Sequence, residues 1–220
     1  MLALAVVLTA WNGPRRAALL SQARSDLRQI GHAMQNYHYA YRMFPPGSIV
    51  DDQSAAQHGW EAMLLPQLDH ADLYDQIDFS KPWDDPDNLR VFQTEVPEFI
   101  DGSYAERRDA GGLPVSHFGA NPLALPPNRG LSFDDFTDGL SNTILAGNMA
   151  AGARGWGTPF NLRDPALGIN TGPDSLGSPR PGGTLVLLGD GSVRFVRDDL
   201  PLENLKALAT PNGGDQPVGY

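Results

Sequence analysis

The sequence predicts an α+β chain: one long N-terminal helix packed on an antiparallel β-sheet head with long loops. Three observations carry this reading. Apolar residues recur at Leu27, Ile30, Ala33, Met34, Tyr37 and Tyr41, the spacing of one helix face. Pro45 and Pro46 then stop that helix, because proline has no N–H and disfavours α geometry in the residue before it. The 24 glycines and 19 prolines make up roughly a fifth of the 220 residues, which favours a turn-rich β head over a helical bundle.

In chain order, residues 15–43 read as one helix of about seven turns, and Gly13-Pro14 suits its start. Gly31 inside it costs about 1 kcal/mol relative to alanine, which close packing of the head against that face explains. His32 and His38 stand six apart and share no face, so ring packing and solvent contacts fit them better than a metal pair. Residues 60–79 read as two short helical segments around Pro66, with Trp60, Leu64, Leu65, Leu68, Leu73, Tyr74 and Ile77 clamping the head onto the long helix. Asp69, Asp72, Asp75 and Asp78 recur every three residues, a solvated stripe. Residues 80–90 read as a polar loop, Val91 to Ile100 as a strand and Ala105 to Pro114 as a mobile loop. Asp138-Gly139 followed by Ser141-Asn142-Thr143 makes a self-capping turn into a strand. Thr184–Leu188 and Val193–Val196 flank Gly-Asp-Gly-Ser, a hairpin signal in which Gly191 supplies positive φ. Leu200 to Thr210 reads as a short closing helix. The expected organisation is a cut-short apolar anchor segment over 1–14, the helix over 15–47, a β-rich head over 48–210 and a loose tail over 211–220.

Composition excludes several function classes. The net charge is −10, yet Arg15, Arg16, Arg24 and Arg28 face only Asp26 in residues 1–30, a local +3 that leaves −13 on the remainder. An acidic head argues against nucleic acid, whose phosphates need clustered cations. With no cysteine there is neither a disulfide nor a thiolate metal site. Ser116-His117 and scattered carboxylates have no catalytic spacing, and no Gly-x-Ser-x-Gly, phosphate loop or His-Glu-x-x-His is present, so the chain reads as non-enzymatic. Trp83, Trp156 and the loop Gly152–Asp174 could line a glycan surface, although such aromatics more often belong to a core.

Several blocks together resemble a bacterial family of prepilin-type, pseudopilin-like proteins known as domain of unknown function family 1559. They are Leu-Arg-Gln-Ile-Gly-His-Ala-Met-Gln-Asn-Tyr-His from Leu27, then Phe44-Pro45-Pro46-Gly47, then Trp60 to Tyr74. Further on come Asp138-Gly139-Leu-Ser141-Asn142-Thr143 and Arg180 followed after nine residues by Asp190-Gly191. The chain departs from the family's pattern in three places. Val96-Pro-Glu-Phe-Ile-Asp-Gly-Ser103 stands for a Cys-Pro-Ser-Asp type sequence, Asn148 for a glutamate, and Arg180 for the histidine that opens the C-terminal motif. Arginine cannot ligate a metal as imidazole does but can pair with a carboxylate, which makes that motif structural here.

The resemblance implies a pilin-like fold and a subunit or accessory of a type II secretion or type IV pilus-like assembly. The head would face outward from the cytoplasmic membrane, into the periplasm or onto the cell surface. Partners would be other pseudopilin-like subunits or envelope proteins, met through Leu27, Ile30, Met34 and Tyr37. Met1 to Trp11 is too short to span about 30 Å of hydrocarbon. It reads as the second half of a membrane helix if the natural product continues upstream, as the start of a chain without a processing site, or as a signal peptide. If the anchor is absent, a soluble extracytoplasmic module binding a glycan, peptide or cation is the alternative. No cofactor is expected apart from calcium, for which Asp134, Asp135, Asp138 and Asp190 are oxygen donors of the right hardness outside any EF-hand pattern.

Overall fold

The computed structural model describes residues 2–53 and 55–218, with side chains from Gly13 onward. Of the expected anchor, residues 2–12 are therefore placed only as backbone, and Met1, Ser54, Gly219 and Tyr220 lie outside the described residues. Helix α1 (Leu2–Tyr41) runs through Gly13 and Pro14 instead of beginning there, since a proline removes one backbone bond and often bends a helix without ending it. It ends earlier than the prolines alone dictate. Arg42 takes a φ of 62° and its N–H bonds the His38 carbonyl at 2.7 Å, closing the last turn. The Phe44-Pro45-Pro46-Gly47 segment then turns into the head and is wholly buried. Phe44 N–H bonds the Leu131 carbonyl at 2.8 Å, and a Cβ on Gly47 would lie 2.3 Å from the Leu125 carbonyl oxygen.

The head follows as β1 (Ser48–Val50), β2 (Ala56–Gly59), α2 (Trp60–Leu64), α3 (Ala71–Tyr74), α4 (Pro86–Val91), β3 (Phe118–Ala120), β4 (Ile144–Asn148), β5 (Gly183–Leu188), β6 (Val193–Arg197) and α5 (Leu202–Ala209). β1 and β2 form an antiparallel pair, and β3-β4-β5-β6 form an antiparallel sheet in that order. The molecule is thus α+β and pilin-like in arrangement. β5 is buried along its whole length because both faces of the sheet are covered. Leu185 and Leu187 join Leu27, Ile30 and Met34 of α1, whereas Val186 and Leu188 join Leu205 and Leu208 of α5. Strand alternation on a sheet packed on both sides turns a half-and-half pattern into a continuous apolar run. Gly31 lies at the closest approach: a Cβ there would be 2.7 Å from Leu187 Cδ1 and 3.2 Å from the Gly191 carbonyl. Gly191 itself has the positive φ, 83°, that the hairpin turn calls for.

Several expectations for the head need correction. Val91 to Ile100 is not a strand, and residues 80–90 are not all loop. Asp85 accepts Asp87 N–H at 2.9 Å and caps α4, with Pro86 in the first turn, and Pro97 opens a 3₁₀ turn to Phe99. The apolar residues Phe92, Val96 and Phe99 point inward from this irregular segment, which mimics a strand's composition without its hydrogen bonding. Around Pro66 there are three short segments, α2, a 3₁₀ turn over Leu65–Leu68 and α3. Ala105 to Pro114 is pinned by Asp109, whose Oδ1 accepts from Gly111 and Leu113 N–H, and by a bridge between Arg108 and Pro114. The tail is tied down through residue 218: Gly214 N–H donates to Asp138 and Val218 N–H to Asn204 Oδ1.

The largest correction concerns the helix face. Leu27, Ile30 and Met34 are 0% exposed, sealed against the chain's own head, and Tyr37 is half-buried against Tyr41 at 4.4 Å. They are not free to meet a neighbouring subunit, because the sheet already covers that face. The exposed face carries Gln22, Ser25, Arg28, Gln29, His32 and Asn36. Ile30→Glu should therefore unfold the head, at a loss above about 4 kcal/mol, read as collapse of the urea transition; a folded Ile30→Glu protein would show that α1 is not clamped.

Candidate functional site

Three polar residues from separate segments of the head meet in space. Asp101 follows the 3₁₀ turn Pro97–Phe99, Asn148 ends β4, and Arg180 stands just before β5. Arg180 Nη2 donates to Asp101 Oδ2, and Asn148 Nδ2 donates to the same oxygen at 3.0 Å. Arg180 Nη1 lies 3.4 Å from Asn148 Oδ1, and Asp101 Oδ1 accepts Ser103 N–H at 2.9 Å. The Asp101 side chain is fully buried and that of Arg180 is 11% exposed. A glutamate at 148 would set a second carboxylate against one guanidinium and could not donate to Asp101; asparagine keeps the cluster neutral and supplies that donor. Arg180 therefore docks its loop onto the head, as the carboxylate pairing expected of it requires.

The residues around this cluster are structural in their bonding. His117 Nδ1 accepts Asp101 N–H at 3.0 Å and Nε2 donates to the Glu106 carbonyl at 2.8 Å, so both ring nitrogens are engaged. Tyr104 stacks on that ring at 4.3 Å and bonds the Met149 and Gly177 carbonyls. Ser116 Oγ donates to the Phe118 carbonyl at 3.0 Å. Ser116 and His117 thus sit side by side in sequence with separate partners. Asp26, the single acid of the arginine-rich stretch, is buried at the helix–head contact and held by Gln22 Nε2 at 2.7 Å. Burial, followed by the like charges of Asp101 and Glu98, pushes its carboxyl up to about 6.

A second buried polar pocket lies beneath α2. Glu61 is 0% exposed and accepts Asn161 Nδ2 at 2.9 Å on Oε1, while Oε2 and the neighbouring Thr158 Oγ1 have no partner. Burial drives the Glu61 carboxyl well above its usual range, against smaller opposing effects from its hydrogen bonds and Arg163. Neither Glu61 nor Asp101 stands out in the sequence by spacing. Glu61 could have been noticed as a lone acid inside Trp60-Glu-Ala-Met-Leu-Leu, and Asp101 has no such signal.

The other candidate residues are scattered. Among the described residues no group of three or more His, Asp or Glu could hold a metal. Asp135 caps Ser132 at 2.7 Å, Asp138 receives Gly214 N–H, and Asp190 receives Ser192 N–H at 2.9 Å, so three of the four calcium candidates already serve backbone caps. Thr143 Oγ1 and Asn142 Nδ2 bond the Gly139 and Asp138 carbonyls in the self-capping turn. His38 stacks on Phe133 with ring centres 3.5 Å apart and accepts Phe133 N–H, while His32 is exposed. Trp156 is fully buried against Phe92, and Trp83 packs edge-on to Phe160, which leaves no aromatic platform for a sugar at Trp156. Beside the Arg180 cluster a cleft of about 560 Å³ opens between α1 and the head, lined by Arg15, Arg16, Leu20, Ser103, Arg180 and Phe195 among others.

Two outcomes follow from these burials. Arg180→Ala should lower stability by about 3–5 kcal/mol, since it strands the Asp101 carboxylate; a urea midpoint near that of the native chain would contradict the pairing. For Glu61 the raised carboxyl means that the folded state keeps a proton the unfolded chain has lost, so its contribution falls as pH rises above the ordinary value of 4.5. Glu61→Gln removes that slope, and the stability of the variant relative to the native chain should rise steadily from about pH 4 to about pH 8. Parallel stability–pH curves would show Glu61 to be ionised in place.

The family model described as "Protein of unknown function (DUF1559)" matches residues 14–166. That segment contains α1 from Pro14, Phe44-Pro45-Pro46-Gly47, Asp101 and β4 with Asn148; Arg180 and the β5–β6 hairpin lie beyond it. No curated protein and no solved structure matches the chain. Among the described residues no helix is long and apolar enough to cross a membrane. With more than two thirds of its length matched, and with the α+β arrangement expected, the chain belongs to the DUF1559 family of proteins of unknown function.

Proposed function

We propose that this chain is a non-enzymatic, pseudopilin-like protein of the cell envelope, a subunit or accessory of a type II secretion or type IV pilus-like assembly. The observation that supports this reading most is the division of labour along α1. One face is committed to the head, while the opposite face remains exposed for its whole length from Ser21 to Ala40 and carries a mixed polar surface with Tyr39 66% exposed. A helix longer than the head needs, presented on its surface, is a repeatable contact that each copy can offer to the next in a head-to-tail array. In this reading the head faces outward from the cytoplasmic membrane. Other pseudopilin-like subunits or envelope proteins meet the Arg28, His32, Asn36 and Tyr39 side of the helix, not the buried seam.

The absence of cysteine makes a clean test available. His32→Cys, exposed on α1, should yield intermolecular cross-links on mild oxidation of host membranes expressing the variant, and Leu27→Cys, buried, should yield none. Monomer alone from both variants, at native expression, would remove the assembly reading.

A further inference from the structure

We propose that the cleft between the first arginines of α1 and the Arg180 loop is a phosphate site for the headgroup of an anionic phospholipid. Arg15 and Arg16 are exposed and form no ion pair among the described residues, and no acidic residue lines the cleft there. Arg180 forms its inner wall. Its Nη groups are used by Asp101 and Asn148, but its buried Nε–H has no partner. Ser103 adds a hydroxyl, while Leu19, Leu20, Pro181 and Phe195 supply an apolar rim. The cleft is therefore a cationic mouth with an apolar lining, the chemistry of a phosphate carried on a glycerol.

Position favours a lipid over a soluble anion. Leu19 and Leu20 stand one helical turn beyond Arg15 and Arg16, so the arginines lie at the end of the cleft nearer the apolar run Met1–Trp11. Along a continuous helix Trp11 and Arg15 are only about 6 Å apart. A membrane surface that takes up the apolar run meets both guanidinium groups at headgroup depth. Charge orients the same approach: residues 1–30 carry +3 and the rest −13, so an anionic surface attracts this end and repels the head. The site shares with the filament reading only the nearness of a membrane and needs no second subunit.

Flotation of the purified full chain with vesicles tests it without any assembly. Binding to phosphatidylcholine vesicles containing roughly a third phosphatidylglycerol should exceed binding to phosphatidylcholine alone by about tenfold. The double variant Arg15→Glu/Arg16→Glu should lose that preference. So should Phe195→Asp, which puts a negative charge on the cleft's strand wall while leaving the helix untouched; all three residues are exposed, and circular dichroism confirms the fold. Equal binding to both vesicle types overturns the proposal, as does a Phe195→Asp protein that binds as the native one does, since plain attraction to the helix would then suffice. Saturable binding of inorganic phosphate that abolishes flotation would reassign the cleft to a free anion. Dimerisation without vesicles that Phe195→Asp dissolves would reassign it to a second copy.

Discussion

The seam between α1 and β5 is the constraint on which the rest of the molecule depends. Leu27, Ile30 and Met34 reach the sheet only because Gly31 lets the helix backbone come down onto Leu187 and the Gly191 turn. Each fully buried aliphatic side chain contributes about 1.5–3 kcal/mol, so these few residues fix the helix on the sheet. The seam also sets what lies at either end of it. At the C-terminal end the helix must stop so that Phe44 can enter the core beside Phe133 and Phe136. At the N-terminal end Arg15 and Arg16 are carried past the last point of contact and overhang the Arg180 loop.

That arrangement changes what the helix can do for a partner. In an isolated amphipathic helix the apolar face is the natural contact surface, and a filament would be built from it. Here the head consumes that face, so any association must use the polar side or the segment before Gly13. The buried charges fit a head whose job is rigidity. Asp101, Asn148 and Arg180 join the end of a 3₁₀ turn, a central strand and a long loop, adding side-chain bonds to the backbone bond from Gly177 N–H to the Asn148 carbonyl, and a neutral cluster of this kind holds such segments in one geometry.

The convergence of Asp101, Asn148 and Arg180 is the most instructive result at the level of individual residues. Together in space they form a neutral set, one carboxylate held by one guanidinium and one amide. A cluster of this kind is read as a unit, because removing one member leaves a buried charge unpaired.

What the sequence determined by itself were the features that depend on local chemistry. Helical periodicity, the Gly-Asp-Gly-Ser hairpin, the self-capping Asp138 turn and the closing helix are all written in residues a few positions apart, and all appear in the structure. Where local composition was ambiguous, only the tertiary structure decided. Val91 to Ile100 has a strand's apolar content but turns irregularly, because Asp85-Pro86 and Pro97 set its backbone before sheet pairing can. The tail residues 211–218 are held by Asp138 and Asn204, partners no spacing in the chain reveals. Which side of α1 meets solvent, and that Asp101, Asn148 and Arg180 touch, depends on contacts between residues far apart in the chain, 79 positions for Arg180 and Asp101 and 154 for Gln35 and Gly189. Periodicity says that a helix has an apolar face; it does not say what covers it, since burial is a property of the surface brought against that face and not of the helix.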